Sequence, residues 1–214
     1  MKLGKTFFLI ICCFFTTVAT SAQISKEIMK VLENTSENIR KCGNVKATFI
    51  ATQLKHKQSQ GSTKGMICIS GNKLHIDGGA TKIWYDGKTQ WSYSSSTKEV
   101  NVSTPSKSEA AKINPYSFIY LYKQGYNAAM SEATVRGKSC YDVHLSSNAR
   151  KDMKYVYLTI EKATMLPICV RMSPNGNDWT RISIYDVYKK QKFSASTFKF
   201  SAKDFPNTEV IDLR

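Results

Sequence analysis

The sequence predicts a mainly β protein of the α+β kind: a single curved antiparallel sheet of about eleven strands, with an N-terminal helix and a middle helix packed on it. Three observations predict it. Apolar and polar residues alternate over much of the chain, as at Val45, Ala47, Phe49 and Ala51 and again at Val100 and Val102, which is the period of a half-buried strand. The alternating runs follow one another across short turns rich in Gly, Asn and Asp, the connections of antiparallel neighbours. Only two stretches carry helix signals, and a sheet this wide twists, curls or splits rather than lying flat.

Residues 1–22 stand apart. Lys2 and Lys5 precede an apolar run from Phe7 to Phe15, and small residues lead to Thr20, Ser21 and Ala22, the pattern of a secretory signal peptide cleaved near Ala22. The run is shorter than the roughly 20 residues of a spanning helix. Cys12 and Cys13 sit inside it behind Ile10 and Ile11, not after the leucine and small residues of a lipidation site. The mature chain is therefore expected to be unlipidated and to form one domain over 23–214.

Residues 23–41 read as an amphipathic helix, with Ile24, Ile28, Val31, Leu32, Thr35 and Ile39 at three- and four-residue intervals and Lys26, Glu27, Lys30, Glu33 and Glu37 between them. Gly43 and Asn44 end it. From Val45 the period becomes two. Residues 55–64 are polar and read as a turn, 65–70 as the returning strand, and Lys73–Asp77 as the next, after Gly71 and Asn72. The runs 83–85 and 91–93 flank Asp86-Gly87-Lys88-Thr89, a strong hairpin signal. Residues 99–102 add a third run, giving a meander whose wide face is expected to carry Ile83, Tyr85, Trp91, Tyr93, Val100 and Val102.

Pro115, after Asn114, marks a helix start. Residues 116–122 are almost wholly apolar or aromatic and must be covered or cover something apolar. Strands are expected at 128–135, 139–145, 154–161, 166–172, 179–188 and 198–200.

The net charge is +15, but the basic residues are scattered through strands and turns rather than gathered on one helix or arm. That argues against nucleic acid and for a basic exterior attracted to anionic lipid or acidic partners. Export leaves Cys42, Cys68, Cys140 and Cys169, which four buried thiols or two disulfides accommodate equally, and three pairings are possible. No close Cys or His spacing suggests a metal. The three histidines, His56, His75 and His144, form no metal or nucleophile motif, no Gly-rich phosphate loop occurs, and Asp77, Asp86, Asp142 and Asp152 fall at or near turns. These features describe a binder without a cofactor rather than an enzyme. Eleven Tyr, ten Phe and three Trp on a curved sheet under a helix suit an apolar interior.

The hairpin DGKTQWSY at 86–93, the strand KEVNV at 98–102 and the ending FKFSAKDFPNTEVIDLR at 198–214 resemble the LolA family, periplasmic carriers of outer-membrane lipoproteins. The order of the segments matches over nearly all of the mature chain. The resemblance implies an incomplete barrel whose lid covers a hydrophobic interior for lipoprotein acyl chains. It also implies a monomer in the periplasm that takes cargo from an inner-membrane ABC-type release complex and passes it to an outer-membrane acceptor. On that reading Phe49, Ile67, Ile69, Leu74, Ile76, Trp91, Tyr93 and Phe118 line the interior. The family's latch arginine, on the strand before the Asp-Gly hairpin, is absent here: the strand reads Lys73, Leu74, His75, Ile76. Lys73 and His75 are the lid-latch candidates, and neither has the guanidinium fork. The alternative is a related periplasmic module that binds or senses a lipid or glycolipid.

Overall fold

The computed structural model describes residues 24–106, 109–110 and 114–214, so the signal peptide expected over 1–22 lies outside the described residues. Helix α1 (Lys26–Cys42) starts where the Ser25 side chain accepts a hydrogen bond from the Ile28 N–H at 3.2 Å, satisfying one of the free donors of the first turn. It ends at Gly43, whose φ of 63° glycine adopts without strain. The apolar stripe read from the sequence is the buried one: Ile28, Val31, Leu32 and Thr35 face inward.

Twelve strands follow: β1 (Val45–Lys55), β2 (Gln58–Ser70), β3 (Lys73–Asp77), β4 (Thr81–Tyr85), β5 (Gln90–Ser94), β6 (Glu99–Ser103), β7 (Asn127–Val135), β8 (Lys138–Ser146), β9 (Tyr155–Glu161), β10 (Leu166–Ser173), β11 (Asp178–Tyr188) and β12 (Glu209–Asp212). A 3₁₀ segment, Pro115–Gln124, lies between β6 and β7. The strands form one open sheet in the order β12-β6-β5-β4-β3-β2-β1-β11-β10-β9-β8-β7. Two meanders are thus joined by β1 against β11. All pairs are antiparallel except β12 with β6.

Two local expectations change. The polar stretch 55–64 is not a loop: a two-residue turn at His56 and Lys57, both with positive φ, reverses the chain, and β2 runs on from Gln58 because β1 supplies its hydrogen bonds even where its side chains are solvated. Residues 198–200 are not a strand. Phe198 ends a short 3₁₀ turn, Ala195–Phe198, and the aromatic residues that follow it pack on the sheet rather than joining it. The strand near the C-terminus is β12, whose pairing with β6 depends on residues more than a hundred positions apart.

The sheet's two faces are filled differently. On the inner face Ile28, Val31 and Leu32 of α1, with Phe118, Ile119 and Leu121 of the 3₁₀ segment, pack on Val143, Leu145, Val156, Leu158, Ile160 and Val170. That half is solid. A second cluster, Cys42, Val45, Ala47, Ile67 and Ile69, is bordered by Phe49, Ile76, Tyr116 and Ile184.

On the outer face the hairpin corrects the expected aromatic face. The four-residue turn pairs Tyr85 with Gln90, so Trp84 pairs with Trp91 and Lys82 with Tyr93, and directly paired residues share a face. Trp91, Tyr93, Val100 and Val102 thus lie together, while Ile83 and Tyr85 face the other way. The C-terminal segment covers that outer face: Phe205 packs on Tyr93 at 4.8 Å between ring centroids and on Trp84 at 5.4 Å, and Phe200 on Trp84 at 5.6 Å.

Candidate functional site

Where β1, β2 and β11 meet beneath the 3₁₀ segment, the inner face leaves an apolar cavity of about 220 Å³. Register explains its walls. Ala47 pairs with Ile67, Ile67 with Ile76, and Phe49 with Ile184, so alternate residues of four neighbouring strands point to one side. Ile69, Met172 and Ile182 complete the sheet side, Thr48 borders it at the bulge between Ala47 and Phe49, and Tyr116 and Phe118 form the roof. Gly65 is required where it stands. The Phe49 ring lies across it, and a β-carbon there would sit 2.4 Å from the ring and 2.6 Å from the Asp77 carbonyl. A larger residue would push Phe49 into the cavity.

A second chamber of about 370 Å³ opens between the C-terminal half of α1 and the 3₁₀ segment. It shares Ile69 and Tyr116 with the apolar cavity and adds Ile39, but its lining is mixed, with polar groups of Ser36, Arg40, Asn44, Asn114, Ser117 and Tyr120 on its walls. The Asn114 side chain accepts from the Tyr116 N–H at 3.0 Å and so starts the 3₁₀ segment. Burial pushes the Tyr116 phenol up to about 12, which keeps it neutral between the chambers. One side-chain hydrogen bond ties the two roof pieces together: Ser36 Oγ to Tyr120 OH at 2.6 Å, exposed to solvent.

Of the residues expected to line the interior, Phe49, Ile67, Ile69, Ile76 and Phe118 come together around the apolar cavity. Leu74, paired with Ile69, is buried on the same face but does not border it. Trp91 and Tyr93 do not join them, because the turn parity puts them on the outer face, where Phe205 packs on Tyr93. The latch candidates are outward too. Leu74 faces inward, so its neighbours Lys73 and His75 face away from the roof. Lys73 is exposed. His75 stacks on Trp84 at 5.1 Å with Nδ1 3.1 Å from the Ile83 carbonyl, and burial lowers its pKa.

The sequence reading missed Ala47, Thr48, Tyr116, Met172, Ile182 and Ile184. Alternation along 179–188 was visible, but nothing local shows that β11 lies beside β1.

The remaining histidine with close ionic partners is on the outer face as well. Asp142 accepts hydrogen bonds from Arg171 Nη2 at 2.6 and 2.8 Å, Thr159 Oγ1 at 2.8 Å and His144 Nε2 at 2.7 Å. His144 also stacks on Tyr157 at 4.0 Å, and the Arg171 guanidinium lies 5.1 Å from that ring's centroid. All four cysteines of the described residues are buried and unbridged. No described helix is long and apolar enough to cross a membrane.

The family model for outer membrane lipoprotein carrier protein LolA matches residues 18–176. No curated protein matches the sequence. Among solved structures, an uncharacterized conserved protein from Thermus thermophilus superposes with a TM-score of 0.58 at 10% identity, over 87% of this chain and 99% of that one. A LolA superfamily protein from Nitrosomonas europaea gives 0.44 at 10% identity, over 81% of this chain and 97% of that one. At such identities the Thermus likeness speaks to the fold alone.

Proposed function

The chain belongs to the family of the outer membrane lipoprotein carrier protein LolA, and on that basis we propose that it is a periplasmic carrier for the acyl chains of lipoproteins. It receives them from an inner-membrane ABC-type release complex and delivers them to an acceptor at the outer membrane, acting by binding rather than by catalysis. The observation that carries this reading is the apolar cavity roofed by Tyr116 and Phe118 at a place where the roof is a separate segment, not part of the sheet.

The physical need is large. A triacylated lipoprotein exposes on the order of 45 methylenes, and wetting them costs roughly 35 kcal/mol at about 0.8 kcal/mol each. Non-covalent affinities saturate near roughly 20 kcal/mol. A carrier therefore recovers part of the cost, loading needs a driven step, and unloading into a bilayer runs downhill. A cavity of about 220 Å³ is also below the roughly 300–1,000 Å³ of pockets for drug-sized ligands. Three acyl chains require α1 and the 3₁₀ segment to move away from β1, β2 and β11.

The test is release of a triacylated lipoprotein from energised spheroplasts in the presence of the purified mature chain. The expected result is a soluble one-to-one complex. Lipoprotein that stays with the membrane whether or not the chain is added would overturn the carrier reading.

A further inference from the structure

The two adjoining chambers differ in chemistry in a way that three acyl chains do not require. The inner one is apolar and small. The outer one, which meets it at Tyr116 and Ile69, presents Ser117, Asn114 and Arg40, and no Asp or Glu among the described residues borders it. Arg40 is exposed, and among the described residues its guanidinium makes no hydrogen bond or ion pair. Its neighbour Lys41 is tied to Glu37 at 2.9 Å and, with a smaller contribution from the Arg40 charge, holds that carboxyl below its ordinary pKa. A guanidinium, an amide and a hydroxyl lining one chamber, with an apolar cavity on the other side of Tyr116 and Ile69, complement one molecular shape once the Tyr116 side chain turns aside: an anionic head on a narrow tail.

Resting on the reading of the apolar cavity as an acyl site, we infer that the closed form binds a single-chain amphiphile with an anionic head. The chain lies in the apolar cavity beneath Tyr116 and Phe118, and the carboxylate or phosphate rests in the outer chamber against Arg40, Asn114 and Ser117. The lid need not open fully for such a ligand, since one chain makes a far smaller demand on volume than three.

The test is a fluorescence titration of the mature chain with dansyl-undecanoic acid and with its methyl ester, repeated on Arg40→Met and Lys41→Met. The acid is expected to bind Arg40→Met about tenfold more weakly than the unaltered chain, as for loss of one charge-assisted contact. The ester should bind both alike, and Lys41→Met should leave both probes unchanged. Dodecanoate and lysophosphatidylglycerol are then competed against the bound acid, and the stronger competitor identifies a fatty-acid or a phospholipid source for the head. Equal binding of the acid to the unaltered chain and Arg40→Met overturns the head-group site, as does an equal loss in Lys41→Met or displacement by neither competitor. Failure of the unaltered chain to bind either probe is a different result. It removes the acyl cavity itself and with it the carrier reading.

Discussion

Asp142 is buried on the sheet face away from the cavity, where desolvation alone would raise its pKa. The hydrogen bonds from His144, Arg171 and Thr159 outweigh that and hold it below its ordinary value of 3.8. The sign of the linkage follows. As the pH falls, the unfolded chain takes up this proton first, so the stability the network contributes is present above the ordinary carboxylate range and is lost as the pH drops through the folded-state value. Asp142→Asn should lower stability by about 2 kcal/mol near pH 7, because it leaves Arg171 without its carboxylate. Urea titrations from pH 7 to pH 3 should also show a flatter acid limb in the variant, and parallel limbs would mean that Asp142 is not the group responsible. Asp142 was read from the sequence as a turn residue. It sits in mid-β8, because the partners that let a carboxylate stay inside a strand, Thr159 and Arg171, come from β9 and β10.

The β4–β5 hairpin shows how a correct local signal can still leave the faces undecided. Asp86 shapes the turn by accepting from the Lys88 and Thr89 N–H groups at 3.0 and 2.9 Å, as an Asp at the start of a turn does. The loop length then decides which residues share a face, and a shift of one position exchanges the faces entirely. Trp84, opposite Trp91, closes against Phe200 and Phe205, so this face belongs to the scaffold. Trp91→Asp should therefore keep the acyl-probe affinity within about twofold while lowering stability by about 1–2 kcal/mol, since Trp91 is half-buried. Ile184→Asp, on the cavity wall, should weaken the probe more than about tenfold, because it sets a carboxylate among apolar walls. The opposite ranking in fluorescence binding would mean that the cavity is not where the acyl chain goes.

Taken end to end, the sheet is long enough to carry a solid half and a hollow half. Over β8, β9 and β10 the roof is held by continuous apolar packing. Over β1, β2 and β11 it is held by the few contacts around Tyr116 and Phe118 and by the exposed Ser36–Tyr120 hydrogen bond, which contributes about 1 kcal/mol or less. Local openings follow the weakest packing. Hydrogen exchange should thus show amides of 116–124 and the C-terminal half of α1 exchanging faster when a triacylated lipoprotein is bound. Amides of β8, β9 and β10 should keep their protection, and a single-chain probe should not loosen the roof. Uniform protection across roof and sheet with lipoprotein bound would contradict a lid that moves.

Legible in the linear order of residues were the helix stripe of α1, most of the strands, the hairpin at Asp86-Gly87 and five of the residues that gather at the cavity. All of these follow from periods of two or 3.6 residues and from turn chemistry within a few positions. Assembly of the sheet was needed to place β11 beside β1, to return β12 parallel to β6, to turn Trp91 and Tyr93 outward, and to set a chamber of mixed lining with Arg40 next to the apolar one. Each of those depends on which distant segment supplies the neighbouring strand or the covering side chain. Local alternation is the same for a residue facing a cavity and for one facing a packed aromatic layer, so the two are told apart only once the strands have found their neighbours.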